Sequence, residues 1–136
     1  MYVRIKLGLV FTVNEERIMR VLCIDDAELV RSAVKHEVLK LGYECVEAED
    51  AFEAREILEK ESFNLIILDI NMPGKTGLEL LAELKHDKVK HAPVVMLTTE
   101  SSSAVKAQGK ELGVKAWIVK PMNMGMVKQI IDKIAE

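Results

Sequence analysis

Five short apolar runs, each followed by a stretch with helical spacing, constrain this chain more than any other feature. The runs are 20–25 (RVLCID), 43–47 (YECVE), 64–69 (NLIILD), 93–98 (PVVMLT) and 115–119 (KAWIV). Three of them are nearly continuous in Val, Ile and Leu. A strand that reads this way is covered on both faces, and such strands usually lie in parallel sheets. The intervening segments repeat at helical period. In 27–41, Val30, Val34, Val38 and Leu41 share one face, and Gly42 follows as a stop. In 51–60, Phe52, Ile57 and Leu58 are the apolar positions, and Asp50 with Glu53 makes a capping-box-like start. In 76–85, Thr76 and Glu79 have the T-x-x-E spacing, and Leu78, Leu81 and Leu84 follow. The pattern in 103–112 is weaker (Ala104, Val105, Ala107, Leu112) and ends at Gly113. In 123–135, Asn123 is placed to cap a stripe of Met126, Val127, Ile130, Ile131 and Ile134.

Five strand–helix pairs define an α/β class. Parallel crossovers are right-handed, so the helices must cover both faces of one sheet. The solution is a doubly wound (βα)5 flavodoxin-like three-layer sandwich, with the parallel strands in the order 2-1-3-4-5. Ligands of such folds sit at the carboxyl ends of the strands, where the order reverses. Here that point lies between the first and third runs.

Length and charge narrow the function. With 136 residues the chain makes one compact domain. Its 19 basic and 22 acidic residues give a net charge of −3, which argues against a nucleic-acid partner. No apolar stretch is long enough to span a membrane. Cys23 and Cys45 lie inside apolar runs and read as buried thiols of a reducing, cytoplasmic compartment. His36, His86 and His91 are scattered and form no metal-binding cluster.

The carboxyl edge carries the chemistry. The first run ends at Asp25-Asp26, the third at Asp69, the fourth at Thr98-Thr99 and the fifth at Lys120-Pro121. Two unit charges ~4 Å apart repel by about 4 kcal/mol at an effective dielectric of 20, so converging carboxylates need compensation. A hard divalent cation supplies it. Mg2+ prefers oxygen ligands and commonly sits beside phosphate oxygens. Lys120 adds a second positive charge suited to a phosphate oxygen. Aspartate is also a nucleophile toward phosphorus, giving an acyl phosphate. Together these residues read as a magnesium-assisted phosphoryl-acceptor site. Taken singly they have plainer roles. Asp26 could be the N-cap of the next helix, Asp69 could cap the turn in DINMPGKTG, Thr98 could end a strand and Lys120 could be solvated.

At these residues the chain resembles the response regulator receiver domains of two-component systems, from Arg20 to Glu136. The motifs are VLCIDD, LIILDINMPGKTGLELL, PVVMLTTE and AWIVKP. The likeness is greatest to the stand-alone, chemotaxis (CheY-like) type. It implies that Asp69 accepts the phosphoryl group and that Asp25 and Asp26 hold Mg2+ with Asp69. It implies a metal ligand in the backbone carbonyl of Asn71, a hydroxyl from Thr98 that meets the phosphoryl oxygen, and an ion pair from Lys120. The Lys120-Pro121 bond is cis in that family. Asn71 and Glu100 stand where the family tunes the lifetime of the acyl phosphate. The implied partners are a sensor histidine kinase that donates from phosphohistidine, and a downstream effector protein or phosphatase. The implied output surface is the face of the fourth helix, fifth strand and fifth helix. Trp117 stands where the family often has a switching tyrosine or phenylalanine. An indole offers only an N–H donor, and a fixed, half-buried anchor is the alternative role. Met122 replaces a common phenylalanine.

Rival functions are a phosphorelay shuttle, a Mg2+-dependent phosphohydrolase of the haloacid-dehalogenase kind, and a flavin or nucleotide carrier. The second needs D-x-D, whereas Asp69-Ile70-Asn71 lacks the second acid. The third needs a glycine-rich phosphate loop, which the sequence lacks. Residues 1–18 form an extension to the receiver domain at 19–136. Within it Val3, Ile5, Leu7, Leu9, Phe11 and Val13 alternate strictly. The pattern fits an added strand that pairs with the sheet edge or with a second copy, making a dimer. A disordered leader, with Met19 as an alternative true start, and, more weakly, a signal peptide are the other readings.

Overall fold

The computed structural model describes residues 18–136 throughout and, ahead of them, the backbone of Tyr2–Arg4 and Val10–Thr12. These two short segments are β1 (Tyr2–Arg4) and β2 (Val10–Thr12), paired antiparallel in a two-stranded sheet of their own. Among the described residues they pair with each other and not with the edge of the larger sheet. The side chains of the alternating run 2–13, and with them the leader and second-copy readings, lie outside the described residues.

The larger sheet has strands β3 (Arg20–Ile24), β4 (Glu44–Ala48), β5 (Leu65–Leu68), β6 (Val94–Thr98) and β7 (Ala116–Val119). All are parallel, in the order β4-β3-β5-β6-β7. This is the expected 2-1-3-4-5 arrangement, counted from β3. The helices are α1 (Glu28–Lys40), α2 (Ala51–Lys60), α3 (Gly77–His86), α4 (Ser103–Glu111) and α5 (Met124–Ala135).

Two apolar layers flank the sheet. One packs Leu22, Ile24, Ile66, Leu68 and Met96 against Ala54 of α2 and Leu80, Leu81 and Leu84 of α3. The other packs Val21, Cys23, Ile67, Val95 and Leu97 against Val34 and Val38 of α1 and Val127 and Ile131 of α5. Alternate residues of each central strand feed opposite layers, which is why those strands are apolar throughout. Cys23 and Cys45 are free thiols on adjacent strands. Cys45 is in register with Val21, so the two cysteines are diagonal rather than opposite.

Local signals set the helix starts. Thr76 and Glu79 form a reciprocal capping box at α3, and the Asp50 carboxylate accepts from the Glu53 N–H at α2. Asn123 caps α5 by accepting from the Gly125 N–H. Ser102, a cap the apolar pattern did not mark, accepts from the Val105 N–H at α4. The capping role considered for Asp26 does not hold: Ala27 occupies the N-cap of α1, without a side-chain bond. Phe52 also departs from its stripe. It is 58% exposed and lies outside the core.

Candidate functional site

Hydrogen bonding carries the sheet one residue past each strand end. The Asp25 N–H donates to the Ala48 carbonyl (3.1 Å), the Asp69 N–H to Ile24 (2.9 Å) and the Lys120 N–H to Thr98 (2.9 Å). Asp25, Asp69 and Lys120 therefore leave the ladder side by side at its carboxyl edge, around the switch point of the strand order. Asp25 and Asp69 are buried, while Asp26, one residue on, faces solvent. Carboxylate oxygens of Asp25, Asp26 and Asp69 lie within 4.8 Å of one another.

Lys120 joins the two buried acids. Its Nζ donates to Asp25 Oδ2 at 2.7 Å and to Asp69 Oδ2 at 3.2 Å. The remaining oxygens are anchored locally: Asp25 Oδ1 accepts from the Ala27 N–H and Asp69 Oδ1 from the Asn71 N–H. Burial raises the Asp25 carboxyl above the usual carboxylate range, against the lowering effect of Lys120 and the Ala27 N–H. Burial also pulls the Lys120 ammonium down. Its bond to Asp25 and the charges of both acids outweigh that and carry it above its ordinary value.

Three carboxylates against one ammonium leave two negative charges uncompensated. The donors are all oxygen, and two of them are fixed by the sheet. That set suits a hard divalent cation such as Mg2+, with Asp25, Asp26 and Asp69 as its protein ligands.

The other expected positions fall on the rim. Thr98 is buried at the end of β6, in register with Val119, and its hydroxyl accepts from the Glu100 N–H (3.3 Å). Asn71 is exposed, two residues beyond Asp69, and the Lys120-Pro121 bond is cis. Trp117 is half-buried, and its indole N–H donates to the Glu100 carbonyl at 2.8 Å. The aromatic on β7 is thereby tied to the loop after Thr98.

Three supporting residues carried no signal in the apolar pattern. Arg31 of α1 donates from Nη1 to the Asp25 carbonyl at 2.7 Å. Gly77 opens α3 directly over Asp69, and a Cβ there would lie 2.1 Å from the Asp69 carbonyl oxygen. Gly109 lets α4 approach the indole, since a Cβ there would lie 2.7 Å from Trp117 Cζ3. Only a glycine fits either close approach.

The family model for the response regulator receiver domain matches residues 21–132. This chain is a member of the response regulator receiver family. The receiver is 36% identical to the chemotaxis protein CheY-3 of Vibrio cholerae, over 87% of its own length and 92% of that protein. Its fold matches the chemotaxis protein CheY4 of Vibrio cholerae with a TM-score of 0.78 at 36% identity, covering 87% of this chain and 99% of that one. It also matches the response regulator TrrA of Thermotoga maritima, solved in complex with Mg2+-BeF, with a TM-score of 0.75 at 32% identity, over 86% and 99% of the two chains. Family members are signalling proteins that bind Mg2+ at an acidic pocket and take phosphate from histidine kinases. Among the described residues of this receiver, no helix is long and apolar enough to cross a membrane.

Proposed function

We propose that this chain is a chemotaxis-type response regulator of the cytoplasm, phosphorylated on Asp69. The observation that carries the reading is Lys120 bridging the buried carboxylates of Asp25 and Asp69. A sensor histidine kinase presents a phosphohistidine. An oxygen of the Asp69 carboxylate attacks phosphorus in line; the new O–P bond forms as the N–P bond breaks, and the released imidazole takes up a proton. Lys120 follows the equatorial oxygens of the transferring group, as its ammonium already spans both acids. Asp25, Asp26, Asp69 and the Asn71 carbonyl would hold Mg2+, which would neutralise charge on those oxygens.

The phosphoryl group adds roughly −1 to −2 of charge at the edge of the sheet. Thr98 supplies a hydroxyl toward it. Glu100 and Asn71 sit beside the group and set the access of water that hydrolyses the acyl phosphate. Movement of the loop after Thr98 reaches Trp117 through the Glu100 carbonyl, and Trp117 through Gly109 reaches α4. The output surface is α4–β7–α5, where Val119 and Met126 already expose apolar surface to an effector protein or phosphatase. Asn71 in place of a second acid disfavours a phosphohydrolase.

Acetyl phosphate with Mg2+ is expected to add one phosphoryl group, seen by intact-mass measurement. Asp69→Asn is expected to abolish it. Full labelling of that variant would refute the acceptor assignment.

A further inference from the structure

The loop that follows the acceptor is held at its far end by another helix. Residues 70–76 connect β5 to α3. The near end belongs to the site, because the Asn71 N–H donates to Asp69 Oδ1 at 3.3 Å. The loop is closed at its base by the Gly77 N–H donating to the Ile70 carbonyl at 2.9 Å. Its outer turn, at Gly74 and Lys75, leans on α2. A Cβ on Gly74 would lie 3.1 Å from Phe52 Cε2, so the phenyl ring rests against the loop backbone. The Lys75 ammonium sits 5.1 Å from the centroid of the same ring. That ammonium also makes a close ion pair with Glu83 of α3. Glu83 is fixed in turn by Arg55 of α2 at 3.0 Å, and Arg55 also holds Asp87 and Glu59.

The arrangement is not core packing. Phe52 is 58% exposed and belongs to neither apolar layer. Its ring meets the loop at Gly74 and Lys75. Gly74 has φ +85°, a conformation that needs glycine and admits the ring without a side chain in the way.

We propose that Phe52 and Lys75 are positioning residues that clamp the β5–α3 loop from α2. They hold its Asn71 end in the geometry that cation loading and phosphoryl transfer at Asp69 require. The proposal rests on the phosphoryl-acceptor reading above and adds two residues to it. Neither residue touches the reacting atoms. They act by narrowing the conformations of a loop whose near end lies beside the acceptor. Residues that act through intervening chain in this way shift affinity by roughly two- to thirtyfold.

The test uses Phe52→Ala and Lys75→Met, with Phe52→Tyr and Lys75→Arg as conservative controls. Mg2+ affinity is read by calorimetry without any phosphodonor, and amide hydrogen exchange of residues 70–76 is read without metal. The initial rate of acetyl phosphate labelling is read at saturating Mg2+. Both disruptive variants are expected to bind Mg2+ at least about threefold more weakly and to exchange faster across 70–76, with the unfolding midpoint nearly unchanged. Tyrosine and arginine, which preserve the ring and the cation, are expected to restore both. Wild-type exchange and wild-type affinity in Phe52→Ala would overturn the clamp. Failure of the wild-type protein to bind Mg2+ or to be labelled on Asp69 would overturn the acceptor reading instead. The metal-free exchange experiment would then still decide whether the clamp exists.

Discussion

Removing the charge of Asp26 should make the metal-free protein more stable while weakening its hold on Mg2+. Asp26 has carboxylate oxygens within 4.8 Å of those of both Asp25 and Asp69, and Lys120 bonds to the other two acids. Asp26→Asn therefore relieves two repulsions without breaking the Lys120 bridge. At 4.8 Å each repulsion is about 3.5 kcal/mol at a dielectric of 20 and about 0.9 kcal/mol in water. Asp26 faces solvent, so the water limit applies. Two pairs then give about 2 kcal/mol, or roughly 7 °C in the unfolding midpoint for a domain of this size. Thermal unfolding by circular dichroism in chelator and low salt measures it. At 1 M salt the Debye length shrinks to about 3 Å, and the gain should largely vanish. Mg2+ should invert the ranking. At a hundredfold excess over its Kd the cation stabilises the wild type by about 2.7 kcal/mol, and the variant by much less. A variant less stable than wild type in chelator, or one with unchanged Mg2+ affinity, would refute the account of the acidic cluster.

Trp117→Phe keeps the ring against Gly109 but loses the 2.8 Å bond to the Glu100 carbonyl. It should cost about 1 kcal/mol and speed hydrogen exchange in residues 99–102, as read by mass spectrometry. Lys88 holds φ 56°, a left-handed conformation, just after α3. Lys88→Gly should release on the order of 1 kcal/mol of strain, seen as a higher midpoint in urea. Burial pushes the Cys45 thiol up to about 11. The thiolate is the reactive form, so disulfide-exchange labelling of the native protein should be slow at pH 8 and accelerate as pH climbs toward that value. Cys45 is half-buried, unlike the buried Cys23, and rapid labelling at pH 8 without unfolding would contradict the raised thiol.

Much of this molecule was legible because its signals are local. The apolar runs became the five strands within a residue or two at each end, since a doubly covered strand has no polar face to blur it. Thr76-Glu79 and Asn123 capped as their spacing implied. The acids at 25, 26 and 69 converged because topology, not sequence proximity, joins the ends of β3 and β5. What stayed hidden was set by tertiary approach. Nothing near Ala27 in the sequence says that it, and not Asp26, takes the cap position. Phe52 looks like a core residue of an amphipathic helix, yet its ring leaves the stripe for a loop that arrives from β5. Gly77 and Gly109 read as ordinary helix residues until the Asp69 carbonyl and the Trp117 ring come against them. The bond from the indole to Glu100 depends on a carbonyl, which every residue has, so no side chain announces it. The described backbone of the alternating amino-terminal run forms two short strands paired with each other, and the pattern alone left that pairing open.

The seat of Asp69 is asymmetric. On one side the first residue of α3 lies so near its carbonyl that a single added carbon would collide with it. On the other, its carboxylate is held by hydrogen bonds alone, from the Lys120 ammonium and the Asn71 N–H. A load placed on this aspartate meets a hard stop in one direction and a compliant spring in the other. The α3 side is closed to the Asp69 backbone, so one glycine at the head of a helix limits where that strand end can go.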